Sequence, residues 1–116
     1  SERMSGRIIA VDFDGTLCTD CYPKIGEANG RLIRTLKELQ RAGDRIILWT
    51  CRQGQTLEEA LHFCGAWGLV FDAVNENLPE IIRRYGSDSR KIYADIYIDD
   101  RSRNPWEWCE SERRIG

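Results

Sequence analysis

Ile8-Ile9-Ala10-Val11-Asp12-Phe13-Asp14-Gly15-Thr16 is the stretch that decides how the rest of the chain is read. Four apolar residues without alternation suit a strand covered on both faces, as in a parallel sheet. The run then stops on two carboxylates, a glycine and a hydroxyl. Three more apolar runs follow, at 46–49, at 69–71 with Ala73-Val74, and at 96–98. Between them lie segments of helical period. The first spans 27–41, with Leu32, Leu36 and Leu39 as an inner stripe, Ile33 beside them and Gly43 as a stop. A second is expected after Thr56, because Thr56-Leu57-Glu58-Glu59 has the pattern of a capping box, and Gly68 ends it. A third begins near Pro79 and runs to Gly86, and Pro105 opens a last helical turn carrying Trp106 and Trp108. Strands alternating with helices imply right-handed crossovers. The fold class is therefore α/β: a single Rossmann-like domain over 1–116, a parallel sheet with helices on both faces.

The totals agree with one domain. The chain has 116 residues, 41% of them hydrophobic and 31% charged, with a formal net charge of -2. That suits one core and a solvated surface, and gives no global reason to bind nucleic acid or acidic membranes. Local basic pairs such as Arg83-Arg84 and Arg113-Arg114 read as solvated faces. No apolar run approaches the ~20 residues of a membrane helix, and no signal peptide opens the chain. Met4 is a candidate native start. Five cysteines, an odd number, in a chain that reads as an intracellular enzyme imply reduced thiols and a cytoplasmic location. Cys18 and Cys21 have C-x-x-C spacing, but a zinc site needs a second ligand pair. The single histidine, His62, sits mid-helix and reads as packed or solvated. Trp49, Trp67, Trp106 and Trp108 read as core and edge packing.

In open parallel sheets, ligands bind beyond the carboxyl ends of the strands. The first run ends in Asp12 and Asp14, the second in Thr50-Cys51-Arg52, and the last in Asp99-Asp100-Arg101. Carboxylates gathered on one rim repel each other unless a cation sits among them, and an all-oxygen donor set suits Mg²⁺. The metal candidates are Asp12, Asp14, Asp99 and Asp100. A carboxylate can attack phosphorus to give an acyl phosphate, splitting one transfer into two. A second carboxyl two residues on can protonate the leaving group and later activate water. Gly15 allows a tight turn that aims backbone amides at phosphate oxygens. Thr50, with Cys51 and Arg52, supplies further contacts to the substrate.

These residues, in this order from Ile8 to Arg101, resemble the haloacid dehalogenase (HAD) superfamily of phosphohydrolases. The resemblance implies Asp12 as nucleophile and metal ligand, and Asp14 as general acid/base that adds its carbonyl to the metal. It implies Thr50 as a phosphate ligand, and Asp99 with Asp100 as completing the Mg²⁺ site. It also implies a lysine at the rim. Lys91 has the right chain order, yet eight residues of extended strand span roughly 26 Å and would place it at the wrong end of the sheet. Lys91 serves only if 89–94 folds back and the strand begins near Asp95; Lys24 and Arg52 are substitutes.

Only the loop 17–26 separates the first motif from the first helix, and two helices and a strand fill the chain between Thr50 and Asp99. There is no room for a cap domain, so the sequence resembles the capless branch, whose open sites often serve macromolecules or use a partner subunit as a lid. The expected partner is a phosphorylated substrate, a small molecule or a macromolecular end. A homodimer is worth testing. Asp99-Asp100-Arg101 with Trp106 is also similar to capless polynucleotide 3'-phosphatases, a reading that the acidic charge balance opposes. Two rival functions remain: a catalytically idle phosphate-binding module, and a receiver-type phosphoacceptor domain. A receiver carries its acceptor Asp after a middle strand with Thr and Lys on later ones, an order this chain does not follow.

Overall fold

The computed structural model describes residues 6–85 and 92–99. Its elements alternate as the sequence implies: β1 (Ile8–Val11), α1 (Gly30–Arg41), β2 (Arg45–Leu48), α2 (Gly54–Ala66), β3 (Ala73–Val74), α3 (Pro79–Tyr85) and β4 (Ile96–Ile98). The four strands form one parallel sheet in the order β3-β2-β1-β4. β1 is central and buried along its whole length, which explains its unbroken apolar run. The chain winds outward from β1 through β2 to β3, then returns to place β4 on the other side of β1. The strand order therefore reverses between β1 and β4, the place where doubly wound sheets bind ligands.

Strand periodicity divides the core in two. Ile9, Val11, Ile46, Leu48 and Ile98 point to one face, where Leu32, Ile33 and Leu36 of α1 and Ala60 and Cys64 of α2 pack on them. Ile8, Ala10 and Ile47 point to the other face and meet Leu78, Ile81, Ile92 and Ala94. Helices thus cover both faces in a single Rossmann-like α/β domain. Among the described residues no further domain is inserted, and no helix is long and apolar enough to cross a membrane.

Three boundaries differ from the sequence expectation, each for a local reason. α1 starts at Gly30 rather than at residue 27, because Glu27 and Ala28 are held in a hairpin: Thr19 N–H donates to the Glu27 carbonyl at 2.9 Å, and Cys18 bridges Ala28. The cap is Asn29, whose Oδ1 accepts from Leu32 N–H at 3.2 Å. α2 starts at Gly54, two residues before the expected cap; the Thr56 hydroxyl donates back to the Gln53 carbonyl at 2.8 Å, so no capping box forms there. β3 keeps only Ala73–Val74 of the longer run. Leu69 N–H is taken by the Cys64 carbonyl in closing α2, its side chain is buried, and Val70 is exposed. Trp49 and Trp67 are both on the exposed side, 43% and 36% accessible, so neither is core packing. The helical turn expected after Pro105, with Trp106 and Trp108, lies outside the described residues.

Candidate functional site

β1 and β4 are neighbours in the register Val11↔Ile98, and Asp12 N–H donates to the Ile98 carbonyl at 2.9 Å. Asp12 and Asp99 therefore leave adjacent strands side by side at the switch point. Both are partly exposed. The Asp12 carboxylate accepts the Phe13 N–H at 2.8 Å, which fixes its χ angles at the strand end. Beyond it the chain turns sharply: Thr16 and Leu17 both donate their N–H groups to the Phe13 carbonyl, at 3.1 and 2.9 Å. The turn is possible because Gly15 takes φ 85°, a left-handed conformation that a side chain would disfavour. Thr16 is 2% exposed and its hydroxyl has no hydrogen-bond partner among the described residues.

Asp14 does not stand free on the rim. Its two oxygens accept from Arg52 Nε and Nη2 at 2.8 and 2.7 Å, a bidentate pair. Arg52 itself is 1% exposed. Its remaining N–H groups reach the carbonyls of Pro23 (3.2 Å), Thr56 (3.1 Å) and Lys24 (2.9 Å). All five guanidinium donors are thereby engaged within the chain. The Phe13 and Tyr22 rings lie 5.0 and 5.1 Å from the guanidinium carbon. The hydrogen bonds that Arg52 donates to Asp14 push the guanidinium pKa above its ordinary value, against the opposing effect of burial. The sequence reading placed Arg52 among substrate contacts; the structure places it in the wall behind Asp14.

Thr50 sits in the loop after β2. Its N–H donates to Asn75 Oδ1 at 2.8 Å, and its hydroxyl oxygen accepts from the Arg52 N–H at 3.1 Å. Asn75 adopts φ 55°, which asparagine tolerates better than most residues. It follows β3 and was not singled out from the sequence; an Asn just past a strand end is the signal that could have found it. Cys51 is exposed beside Thr50.

Lys91 and Asp100 lie outside the described residues. Of the segment 89–94, residues 92–94 are described, and these fold back. The Tyr97 hydroxyl donates to the Ile92 carbonyl and accepts from Ala94 N–H at 3.0 Å. Five extended residues would span about 17 Å, far beyond the reach of one tyrosine. Among the described residues no cluster of three or more His, Cys, Asp or Glu forms a metal cage. Asp12 and Asp99 with a backbone carbonyl are still the oxygen donors that Mg²⁺ takes, since it keeps most of its waters and is held by one or two carboxylates. A groove of about 980 Å³ runs between Lys24-Ile25 and the outer face of α2 at His62 and Phe63. None of the rim carboxylates lines it.

No family model matches the chain, and no curated protein matches it. Among solved structures it is similar to that of the conserved protein coded by locus from Bacteroides thetaiotaomicron. The two are 40% identical, with a TM-score of 0.81 over 97% of this chain and 93% of that one. At that identity and coverage, the chain belongs to the same family as this conserved Bacteroides protein.

Proposed function

We propose that the chain is a Mg²⁺-dependent phosphomonoester hydrolase of the HAD type. The observation that supports this most is the exit of Asp12 and Asp99 from adjacent parallel strands at the point where strand order reverses. Asp14 and Thr50 stand on the same rim. In this reading an Asp12 oxygen attacks phosphorus and the ester P–O bond breaks. The leaving oxygen takes a proton from Asp14. Water then attacks the phosphorus of the aspartyl-phosphate, gives a proton back to Asp14, and the Asp12 O–P bond breaks to release phosphate. The Thr50 hydroxyl and the Asp14 N–H hold other phosphate oxygens, since the N–H groups of Phe13, Gly15, Thr16 and Leu17 are bonded within the chain. Asp12, Asp99 and the Asp14 carbonyl would hold Mg²⁺, with Asp100 as a further candidate, and the ion would offset the charge of nucleophile and substrate. Lys91 is the candidate rim lysine.

One observation favours the second reading, an idle phosphate-binding module: the Asp14 carboxylate is pinned by Arg52. Each of its oxygens keeps a lone pair outside that fork, and it is there that the carboxyl would carry the proton given to the leaving oxygen and take it back from water. Hydrolysis of an aryl phosphate, with and without Mg²⁺, compared between the parent and Asp12→Asn, separates the two. Metal-dependent turnover that falls at least about a thousandfold in the variant is the expected result. Equal rates in the two proteins would end the nucleophile assignment, and binding of phosphate without turnover would favour the idle module.

A further inference from the structure

An arginine fork has five N–H donors in one plane, so it can tie several chain segments into a single unit. Here that plane joins three: the Asp14 carboxylate of the β1 turn, the carbonyls of Pro23 and Lys24 in the hairpin, and the Thr56 carbonyl in the first turn of α2. Ile25, just past the tip, packs partly buried against the core. The hairpin stem is pinned by Thr19 N–H to the Glu27 carbonyl and by Glu27 N–H to the Thr19 hydroxyl, both at 2.9 Å, while Asp20, Cys21, Tyr22, Pro23 and Lys24 are exposed. The exposed tip is therefore held by the Ile25 contact at its base and by the side chain that also sets the orientation of Asp14.

We propose that Arg52 is a positioning residue that couples hairpin docking to the placement of the Asp14 carboxyl. When the hairpin tip is seated, the fork is complete and Asp14 is fixed; when the tip lifts, two of the five donors lose their acceptors and the carboxyl is free to turn. Bringing substrate under the hairpin and aligning the proton donor become one event. The catalytic half of this inference rests on the proposed role of Asp14 in proton transfer, whereas the coupling between hairpin and carboxyl does not.

The test uses the full chain and two substitutions, Arg52→Lys, which keeps the charge but loses the fork, and Asp14→Asn, which keeps the shape but loses the charge. Trypsin cleavage after Lys24 reports the hairpin tip, and cleavage after Lys37, within α1, reports global unfolding; fragment masses distinguish them. Both variants are expected to raise cleavage at Lys24 about tenfold with Lys37 unchanged. Resistance at Lys24 equal to the parent, or a parallel rise at Lys24 and Lys37, overturns the coupling. A second readout is leaving-group dependence. An alkyl phosphate needs a proton on its leaving oxygen and a nitrophenyl phosphate hardly does. Arg52→Lys is therefore expected to slow the alkyl ester about tenfold more than the aryl ester. Equal slowing of the two esters overturns the positioning role. If the parent cleaves neither ester, the phosphatase reading fails and the Lys24 result alone decides whether the coupling stands.

Discussion

Arg52→Met keeps much of the side-chain length while deleting the guanidinium, and its effect on stability can be worked from the contacts. The substitution leaves the Asp14 carboxylate without its partner and strands three backbone carbonyls. Removing one member of a buried ion pair costs about 3–5 kcal/mol. The Asp14 side chain is 18% exposed and the tip carbonyls belong to exposed residues, so water can reach part of what is lost. The low end, about 3 kcal/mol, is the appropriate figure. Against a total stability of about 5–15 kcal/mol the chain still folds, with a melting point lower by about 12 °C at roughly 4 °C per kcal/mol. Urea unfolding at pH 7 of the parent, Arg52→Met, Asp14→Asn and the double variant measures it. The double variant should be no less stable than Arg52→Met, because an Asn leaves no uncompensated charge. A loss under about 1 kcal/mol for Arg52→Met would mean that the pair behaves like a solvated surface bridge and would refute the argument. So would losses that add in the double variant within about 0.5 kcal/mol.

Other consequences are open to simple assays. In a Cys109→Ser background, Cys21 and Cys51 are exposed and should react with a thiol reagent in the native state at pH 8. Cys18 and Cys64 are buried and should react only on unfolding. Burial pushes the Cys64 thiol up to about 12 from an ordinary 9.0, so the folded chain keeps a proton that the unfolded chain releases. That contribution to stability is whole below pH 9 and falls as pH rises toward 12, by up to about 1.4 kcal/mol per pH unit. Urea midpoints at pH 8.5 to 11 should fall more steeply for the parent than for Cys64→Ala, and identical slopes would count against it. Asn29→Ala removes the α1 cap and the bond to the Thr16 carbonyl at 3.1 Å, and should cost about 1–2 kcal/mol. Thr16→Val, which deletes a buried hydroxyl with no partner among the described residues, should be neutral or stabilise by about 1 kcal/mol, as thermal melts of both variants would show.

Much of the fold could be read from local pattern where one effect dominates. β1 ends where its apolar run ends, since a strand buried on both faces admits no polar residue, and the half-buried edge strand β4 likewise covers its short run 96–98. The α2 start was misread because Thr56-Leu57-Glu58-Glu59 satisfies the spacing of a capping box. That spacing cannot reveal that the hydroxyl donates to Gln53 within a turn already formed. The 69–71 run looked like strand because Leu69 is core, but its burial comes from closing α2 rather than from pairing. In the site, Asp12, Asp14 and Thr50 could be picked out by their place after strands. The partner of Asp14 could not be, because the pairing of Asp14 with Arg52 spans 38 residues of sequence and depends on where α2 and the hairpin converge. An arginine after a strand reads as a phosphate ligand until its five donors are counted.

The aspartates make the same point more generally. Nothing in the sequence assigns a role to Asp44, Asp72 or Asp95, although each immediately precedes or flanks a strand as Asp12 and Asp99 do. The sheet separates them by polarity of its ends. At the amino end, parallel strands present unpaired N–H groups, and these three carboxylates accept them: Arg7 N–H to Asp44 at 2.8 Å, Ile46 N–H to Asp72 at 2.7 Å, and Ile8 N–H to Asp95 at 2.7 Å. Each staples one strand to its neighbour, because Asp44 begins the β2 side, Asp72 the β3 side and Asp95 the β4 side. A carboxylate at the carboxyl end faces strand carbonyls instead, and must find its positive partner elsewhere. Asp14 finds Arg52. Asp12 and Asp99 leave adjacent strands at the switch point, and in the proposed function they are the pair that would hold a divalent cation. The same residue type thus staples strands at one edge of the sheet and, in the proposed function, carries the chemistry at the other, and the direction of the strands separates the two.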